Sequence, residues 1–261
     1  MAKISRYVSA YASLRSLLFI VEKIAYRSNH KYIGKGDKSV IKTFNGRKFV
    51  ASYSGGKDSI LAIYRAIKLG MKPVSLIITY NIDMERSWFH GIPKDLLDEV
   101  SASLNIPIKL IKTSGKNYAA NFENELKVQK KNGAEICVFG DIDIEEHLQW
   151  CTTRCDAAGI EAFFPLWKEG RKALVDEFIE NGFTANISVV DTDRLSEKYL
   201  GMILSPKTVS SIIAEGADAC GENGEYHTFV SNGPLFRTPI SFCYGELVKN
   251  EQYAILPIKK I

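Results

Sequence analysis

From Lys48 onward, short β-branched or apolar runs alternate with stretches whose apolar residues recur every three to four positions, the pattern of strands alternating with amphipathic helices. The runs predict strands over 49–53, 74–80, 108–112, 136–139, 162–164 and 185–190, and helices over about 58–69, 94–104, 118–131, 143–158 and 171–181. Such alternation builds βαβ units around a parallel sheet, so the fold class is α/β. Asp143 with Glu146 reads as a capping box ahead of an Ile144, Leu148, Cys151, Cys155 stripe, and Asn181-Gly182 reads as a helix stop. After Asp191 the alternation weakens into Ser205-Pro206, a short helix near 207–215 and a glycine-rich segment over 216–224. Residues 47–164 are therefore expected to form the main sheet domain, and residues 165–261 a smaller α+β lobe docked on it.

Ahead of the sheet domain the pattern is different. Leu14, Leu17, Leu18, Val21 and Ile24 fall at helical spacing, which predicts one or two amphipathic helices over about 1–30, and residues 31–46 read as a linker ending in the turn Asn45-Gly46. This 1–46 extension is basic. Residues 1–48 carry eleven Lys or Arg against Glu22 and Asp37, a balance of +9, whereas the whole chain of 261 residues carries +4, which leaves −5 for the remainder. Any contact with nucleic acid or an anionic membrane surface would thus fall to the extension, while its apolar stripe suits packing on the domain or on a second subunit, so a homo-oligomer is possible.

Composition adds bounds rather than function. With 25% charged and 46% hydrophobic residues the chain is an ordinary globular protein long enough for a large core. Its five cysteines, Cys137, Cys151, Cys155, Cys220 and Cys243, are odd in number and contain no C-x-x-C pair, which argues against a disulfide framework and against a structural zinc site. Cys151 and Cys155 should share one helix face and be buried. The apolar run Leu17 to Val21 is too short to span a bilayer and lacks the marks of a signal peptide, so no transmembrane segment and a cytoplasmic location are expected.

Candidate chemistry begins at the end of the first strand, with Ser54-Gly55-Gly56-Lys57-Asp58-Ser59. Adjacent glycines allow a tight turn and a close approach of backbone N–H groups to an anion, and the N-terminus of the next helix adds its partial positive charge. Ser54 and Ser59 offer hydroxyls, Lys57 a charge, and Asp58 a carboxylate able to hold Mg2+ on phosphates. The spacing fits neither a Walker loop nor a dinucleotide fingerprint. It resembles the PP-loop, S-G-G-x-D-S, of the ATP pyrophosphatase families, which have a Rossmann-like (HUP-type) sheet. That resemblance implies ATP as cosubstrate with Mg2+, phosphates bound by Ser54, Gly55, Gly56, Asp58 and Ser59, adenosine facing Ile78 and Thr79, and release of AMP and pyrophosphate; Lys57 is added to the nucleotide-binding set for its charge.

Two further segments bear on the acceptor. Gly140 and Asp141, in Gly140-Asp141-Ile142-Asp143-Ile144-Glu145-Glu146-His147, fall at the carboxyl edge of the predicted fourth strand, where ligands bind in open α/β sheets. His147 is either a further site residue or a satisfied helical histidine. Gly221-Glu222-Asn223-Gly224-Glu225-Tyr226-His227-Thr228 gathers two carboxylates, an amide and an imidazole between glycines, suited to binding ammonium or moving a proton, or else to forming a solvated turn. Together with the Phe164-Pro165-Leu166-Trp167 run, these segments resemble the diphthine–ammonia ligase family over most of residues 48–242, and its G-E-x-G-E-x-x-T signature is matched by Gly221, Glu222, Gly224, Glu225 and Thr228. His227 stands where many members carry an acidic residue.

By that resemblance, ATP adenylates the diphthine carboxylate of elongation factor two, or another carboxylate acceptor, and ammonia displaces AMP. Asp58, Glu222 and Glu225 would then be catalytic, with Gly140 and Asp141 on the nucleotide and Asn223, Gly224, His227 and Thr228 on the acceptor. Two other readings are open: a tRNA-modifying PP-loop enzyme, which would want cysteines at its site, and a non-catalytic ATP or AMP binder.

Overall fold

The computed structural model describes residues 43–250 and 252–261. The helices expected over 1–30, their apolar stripe and nearly all of the 31–46 linker lie outside the described residues. The turn at its end is present, with Gly46 at φ +81° and its N–H donating to the Gly70 carbonyl (2.9 Å).

The first sheet contains β1 (Lys48–Ser52), β2 (Lys72–Asn81), a two-residue β3 (Arg86–Ser87), β4 (Ile108–Thr113), β5 (Ile136–Val138) and β6 (Glu161–Phe163). Its parallel strands lie in the spatial order β4, β2, β1, β5, β6. β3 alone runs antiparallel, against Tyr80 and Asn81 at the end of β2. Consecutive strands step outward from β1 as far as β4, and then the chain returns to the other side of β1. The reversal lies between β1 and β5, and a crevice forms beyond their carboxyl ends because the connections there leave in opposite directions.

Helices cover both faces. α1 (Lys57–Lys68) and α2 (Lys94–Leu104) pack on one face, through Ile60, Ile63, Leu96 and Val100. α3 (Tyr118–Lys131) and α4 (Glu145–Ala158) pack on the other, through Phe122, Leu126, Cys151 and Cys155. The two helical cysteines share a buried face, as their spacing predicts. β1 is sandwiched, with Phe49, Val50 and Ala51 fully buried, which is why it reads as a continuous apolar run rather than an alternating one.

The second lobe follows α5 (Arg171–Glu180), which stops at Asn181-Gly182 as expected, Gly182 taking φ +80°. Its sheet is antiparallel, β7 (Thr184–Asp191) between β8 (Tyr226–Asn232) and β11 (Tyr253–Ile255), with β10 (Val248–Asn250) outside β11. α6 (Pro206–Ala214) and a separate pair, β9 (Phe242–Tyr244) with β12 (Ile258–Lys260), complete it. The lobe shares the core of α1 and α2. It is also bolted to α1 by Arg65, 2% exposed, which bonds the Pro165 carbonyl (2.7 Å), Glu169 (2.9 Å) and Glu177 (3.0 Å). Among the described residues no helix is long and apolar enough to cross a membrane.

One local expectation fails. The capping box at Asp143 does not form: α4 begins at Glu145, and its N-cap Ile144 has no side-chain bond. The Asp143 carboxylate instead takes two bonds from Arg171, at 2.9 and 2.7 Å. A bidentate charged pair outcompetes a single backbone amide for the same carboxylate.

Candidate functional site

Where β1 ends, the chain turns through Gly55 at φ +92° and enters α1. A side chain at Gly55 would need both a left-handed backbone and the space filled by Ile92 Cδ1, 2.1 Å from an added Cβ. Gly56 is pressed against His90, whose Cε1 lies 2.6 Å from where its Cβ would be. The loop's serines shape it from within. Gly56 N–H donates to Ser54 Oγ (3.2 Å), Ser54 Oγ–H to Ser59 Oγ (3.2 Å), and Ser59 Oγ–H to the Gly56 carbonyl (2.9 Å).

The second lobe closes on this loop through β8. Val230 N–H donates to the Gly55 carbonyl (3.0 Å), Lys57 N–H to Thr228 Oγ1 (3.2 Å), and His90 Nδ1–H to the Thr228 carbonyl (2.8 Å). The resulting cleft, about 390 Å3, lies at the sheet's switch point. Its floor holds Ser54, Lys57, Asp58 and Ser59; Gly140, Asp141 and His147 bound it from the β5 side; Glu222, Gly224, His227 and Thr228 bound it from the second lobe; and Thr79 stands at the end of β2. Gly140 has a steric reason to be glycine, because an added Cβ would meet Ser59 N and the Asp58 carbonyl carbon at 2.8 Å.

Five expected site residues do not line the cleft: Gly55 and Gly56, which form the turn beneath it, and Ile78, Asn223 and Glu225. Ile78 is 2% exposed within the sheet core, since alternate residues of β2 face opposite sides and Thr79 is the one turned outward. Asn223 is exposed and bonded to Arg171 (3.2 Å). Glu225 is buried, and its carboxylate accepts from Asn223 N–H (3.1 Å), Asn223 Nδ2 (3.0 Å) and Asp218 N–H (3.4 Å). It holds the 218–225 turn in shape instead of facing a ligand.

Lys57 also differs from expectation. Its ammonium points under the loop, bonded to Asp58 (2.8 Å) and the Cys220 carbonyl, over the Tyr226 ring at 5.3 Å. Burial pulls this amine down, but Asp58, Tyr226 and Cys220 outweigh it, and the lysine stays charged as a strut between loop and lobe.

Glu222 is the reverse case. Burial first, then the charges of Asp58 and Asp141, push its carboxyl up to about 7, against the pull of Lys57 and Arg171. A carboxyl balanced near neutrality can exchange a proton in either direction. His147 is raised, chiefly by its bond to Asp141 (3.3 Å). His90 and His227, rings 5.1 Å apart, are both pushed down by burial and are neutral at physiological pH.

Sequence reasoning missed several parts of this cleft. His90 sits in Trp88-Phe89-His90-Gly91 just after β2, and a histidine in an aromatic loop at a sheet's carboxyl edge was a usable signal. Tyr118, whose hydroxyl donates to Thr79 Oγ1 (3.4 Å), and Tyr53, a cleft-lining residue whose buried hydroxyl has no partner among the described residues, gave none. Arg171 likewise gave none; it joins Asp143 beyond β5 to Asp218 (3.1 Å) of the second-lobe turn.

Fit to a nucleotide and metal can be judged on these groups. The α1 N-terminus and the unpartnered Tyr53 hydroxyl suit an oxyanion. Asp58 and Asp141 suit Mg2+ brought with phosphates, which commonly uses one or two carboxylates. Among the described residues no three His, Cys, Asp or Glu are grouped to hold a metal by themselves.

A phosphate loop at the switch point of a Rossmann-like parallel sheet, roofed by a second lobe, defines a PP-loop protein of the HUP type. Residues 47–162 match the family described as Diphthamide synthase N-terminal domain, and residues 170–261 the one described as Diphthamide synthase C-terminal domain. The chain is 30% identical over 236 residues to the diphthine–ammonia ligases of Homo sapiens and Bos taurus, covering 81% of this chain and 88% of theirs. It belongs to the diphthine–ammonia ligase family.

The Saccharomyces cerevisiae protein of that name is 24% identical over 229 residues, 73% of this chain. The chain spans 33% of that relative's length and 39% of the Schizosaccharomyces pombe one. A solved structure described as a predicted subunit of tRNA methyltransferase from Methanocaldococcus jannaschii aligns at a TM-score of 0.40 with 18% identity, covering 74% of this chain and 100% of that one. A likeness so distant bears on neither substrate nor mechanism.

Proposed function

We propose that this chain is an AMP-forming amide ligase that adenylates the carboxylate of diphthine on elongation factor two and transfers ammonia to it. The observation that carries the reading is the position of Glu222, held near neutrality across one cleft from the phosphate loop. In the first step an acceptor carboxylate oxygen bonds to the α-phosphorus and pyrophosphate leaves. The α1 N-terminus faces the charge that builds on the phosphates, so this half of catalysis is positioning and electrostatics. Mg2+, held by Asp58 and Asp141 together with the phosphates, would neutralise part of that charge.

In the second step the ammonia nitrogen bonds to the acyl carbon and AMP leaves with the bonding electron pair. Glu222 takes the proton that ammonium must lose to become a nucleophile. Thr228 and His227 line the acceptor side, and Arg171 keeps the two loops that carry Asp141 and Glu222 in register. Four of the five thiols are buried, with Cys220 Sγ–H donating to the Arg171 carbonyl (2.9 Å), an arrangement unsuited to thiol chemistry at the cleft. Translation factors work in the cytoplasm, and the reaction is assigned there.

The test is product analysis with ATP, Mg2+ and ammonium, with and without diphthine-bearing elongation factor. AMP and pyrophosphate formed only with the factor is the expected result. AMP without it moves the acceptor to another carboxylate, and ADP or no turnover overturns the reading.

A further inference from the structure

The cleft carries two features that bear on the acceptor. The first is its charge. Asp58, Asp141 and Glu222 line it, Lys57 is spent between Asp58 and the Cys220 carbonyl, and His90 and His227 are neutral. The remaining charged group of the lining, His147, is paired with Asp141 (3.3 Å), so the acceptor side is left with the Glu222 carboxyl and suits a cationic group.

The second is aromatic. Phe89, on the β3–α2 connection, lines the cleft with 57% of its surface exposed, and neighbouring Trp88 is 36% exposed. Across from them Tyr118 lines the cleft from the start of α3, its hydroxyl tied to Thr79. Trp88 meets Tyr118 edge to face with centroids 6.1 Å apart at 65°, and Trp150 backs Tyr118 at 5.8 Å. Ring faces left in water cost hydrophobic free energy, and when they stand beside carboxylates they suit a cation clothed in methyl groups. An ordinary ammonium would be held by hydrogen bonds, which a quaternary one cannot make.

We propose that Phe89 and Tyr118, with Trp88 behind them, form a subsite for a quaternary ammonium group on the acceptor, next to the carboxylate that is activated. The assignment rests on the proposed function, since diphthine carries a trimethylammonium on the carbon adjacent to its carboxylate. Holding that group at the aromatic rim leaves the carboxylate one carbon away, directed toward the phosphate loop. The subsite thus selects the acceptor by a feature that a free amine or an unmethylated precursor lacks.

Binding to the full chain is measured by ligand-observed NMR in the presence of a non-hydrolysable ATP analogue. The probes are glycine betaine and 3,3-dimethylbutanoate, its isostere with a neutral tert-butyl group in place of the trimethylammonium, each also tested against the Phe89→Leu and Trp88→Leu variants. Both substitutions keep an apolar side chain at an exposed position, and an unchanged Tm verifies folding. Wild type is expected to prefer betaine by about two- to fivefold, the range of a partly solvated cation–π contact. Phe89→Leu should abolish the preference while leaving affinity for the ATP analogue unchanged.

Equal binding of the two isosteres, or a preference that survives Phe89→Leu, overturns the proposal. So does a Phe89→Leu variant that weakens the ATP analogue alone, because the rings would then serve the purine. The measurement needs no turnover, so failure of the ligase reading appears separately, in the product analysis.

Discussion

Replacing Glu222 with Gln should lower activity and raise stability together, and the second effect has a sign set by pH. In the unfolded chain this carboxyl titrates near its ordinary value of 4.5, and in the folded protein near 7. Between those values the native state holds a proton that the unfolded state releases, so stability falls as pH rises through the window. Above about pH 7 the full penalty applies, at most about 3 kcal/mol from the width of the window at 1.36 kcal/mol per unit. Glu222→Gln removes the penalty without changing shape. Its Tm should exceed that of wild type at about pH 8, by roughly 2–4 °C for each kcal/mol recovered, and match it at about pH 4. Amide formation should fall by about 10²-fold or more, while affinity for the ATP analogue is kept. In wild type, with the concentration of ammonium held constant, the rate should rise about tenfold between about pH 6 and pH 8, and the variant should lose that inflection. Calorimetry at the two pH values and a pH–rate profile decide it: a variant no more stable than wild type at pH 8, or one that keeps the inflection, would refute a desolvated carboxyl acting as the base.

Three other substitutions separate scaffold from chemistry. Gly55→Ala, forced into φ +92° with its Cβ 2.1 Å from Ile92 Cδ1, should abolish ATP binding by calorimetric titration and lower the Tm. Arg65→Met removes the buried guanidinium that neutralises Glu169 and Glu177, and denaturant unfolding should show a loss of about 3–5 kcal/mol. Glu225→Ala releases the amides of Asn223 and Asp218. It should cost about 1–3 kcal/mol of stability and raise the KM for ammonium through a loosened turn, with the pH inflection near 7 kept because Glu222 remains.

The parallel sheet was legible because its strands and helices are separate local patterns, and the phosphate loop because glycines, serines and aspartate occupy adjacent positions. What periodicity could not supply is which group spends its hydrogen bonds on which neighbour. Lys57 lies in the loop that sequence points to, yet its ammonium is claimed by Cys220, far along the chain. Asp143 has a capping partner in sequence and a stronger one in space. Ile78 and Thr79 are adjacent, and the pleat of β2 alone decides that Thr79 reaches the cleft. His90 is fixed at the site by β8, which was not read as a strand, because the Thr228 carbonyl there accepts from His90 Nδ1–H.

Glu222 and Glu225 show why matching a signature does not assign roles within it. Both sit in one glycine-flanked turn, three residues apart, and local chemistry gives them equal claim to ammonium. The turn folds Glu225 inward onto its own amides, where Asn223 and Asp218 donate three bonds to its carboxylate. Glu222 is turned toward Asp58 and Asp141, whose charges join burial in holding its proton on. A base for ammonium needs a proton affinity raised toward neutrality, high enough to take the proton and low enough to release it afterwards. Of the two carboxylates, the one repelled by its surroundings is therefore the one equipped for proton transfer, and the one satisfied by its surroundings is equipped to hold it there.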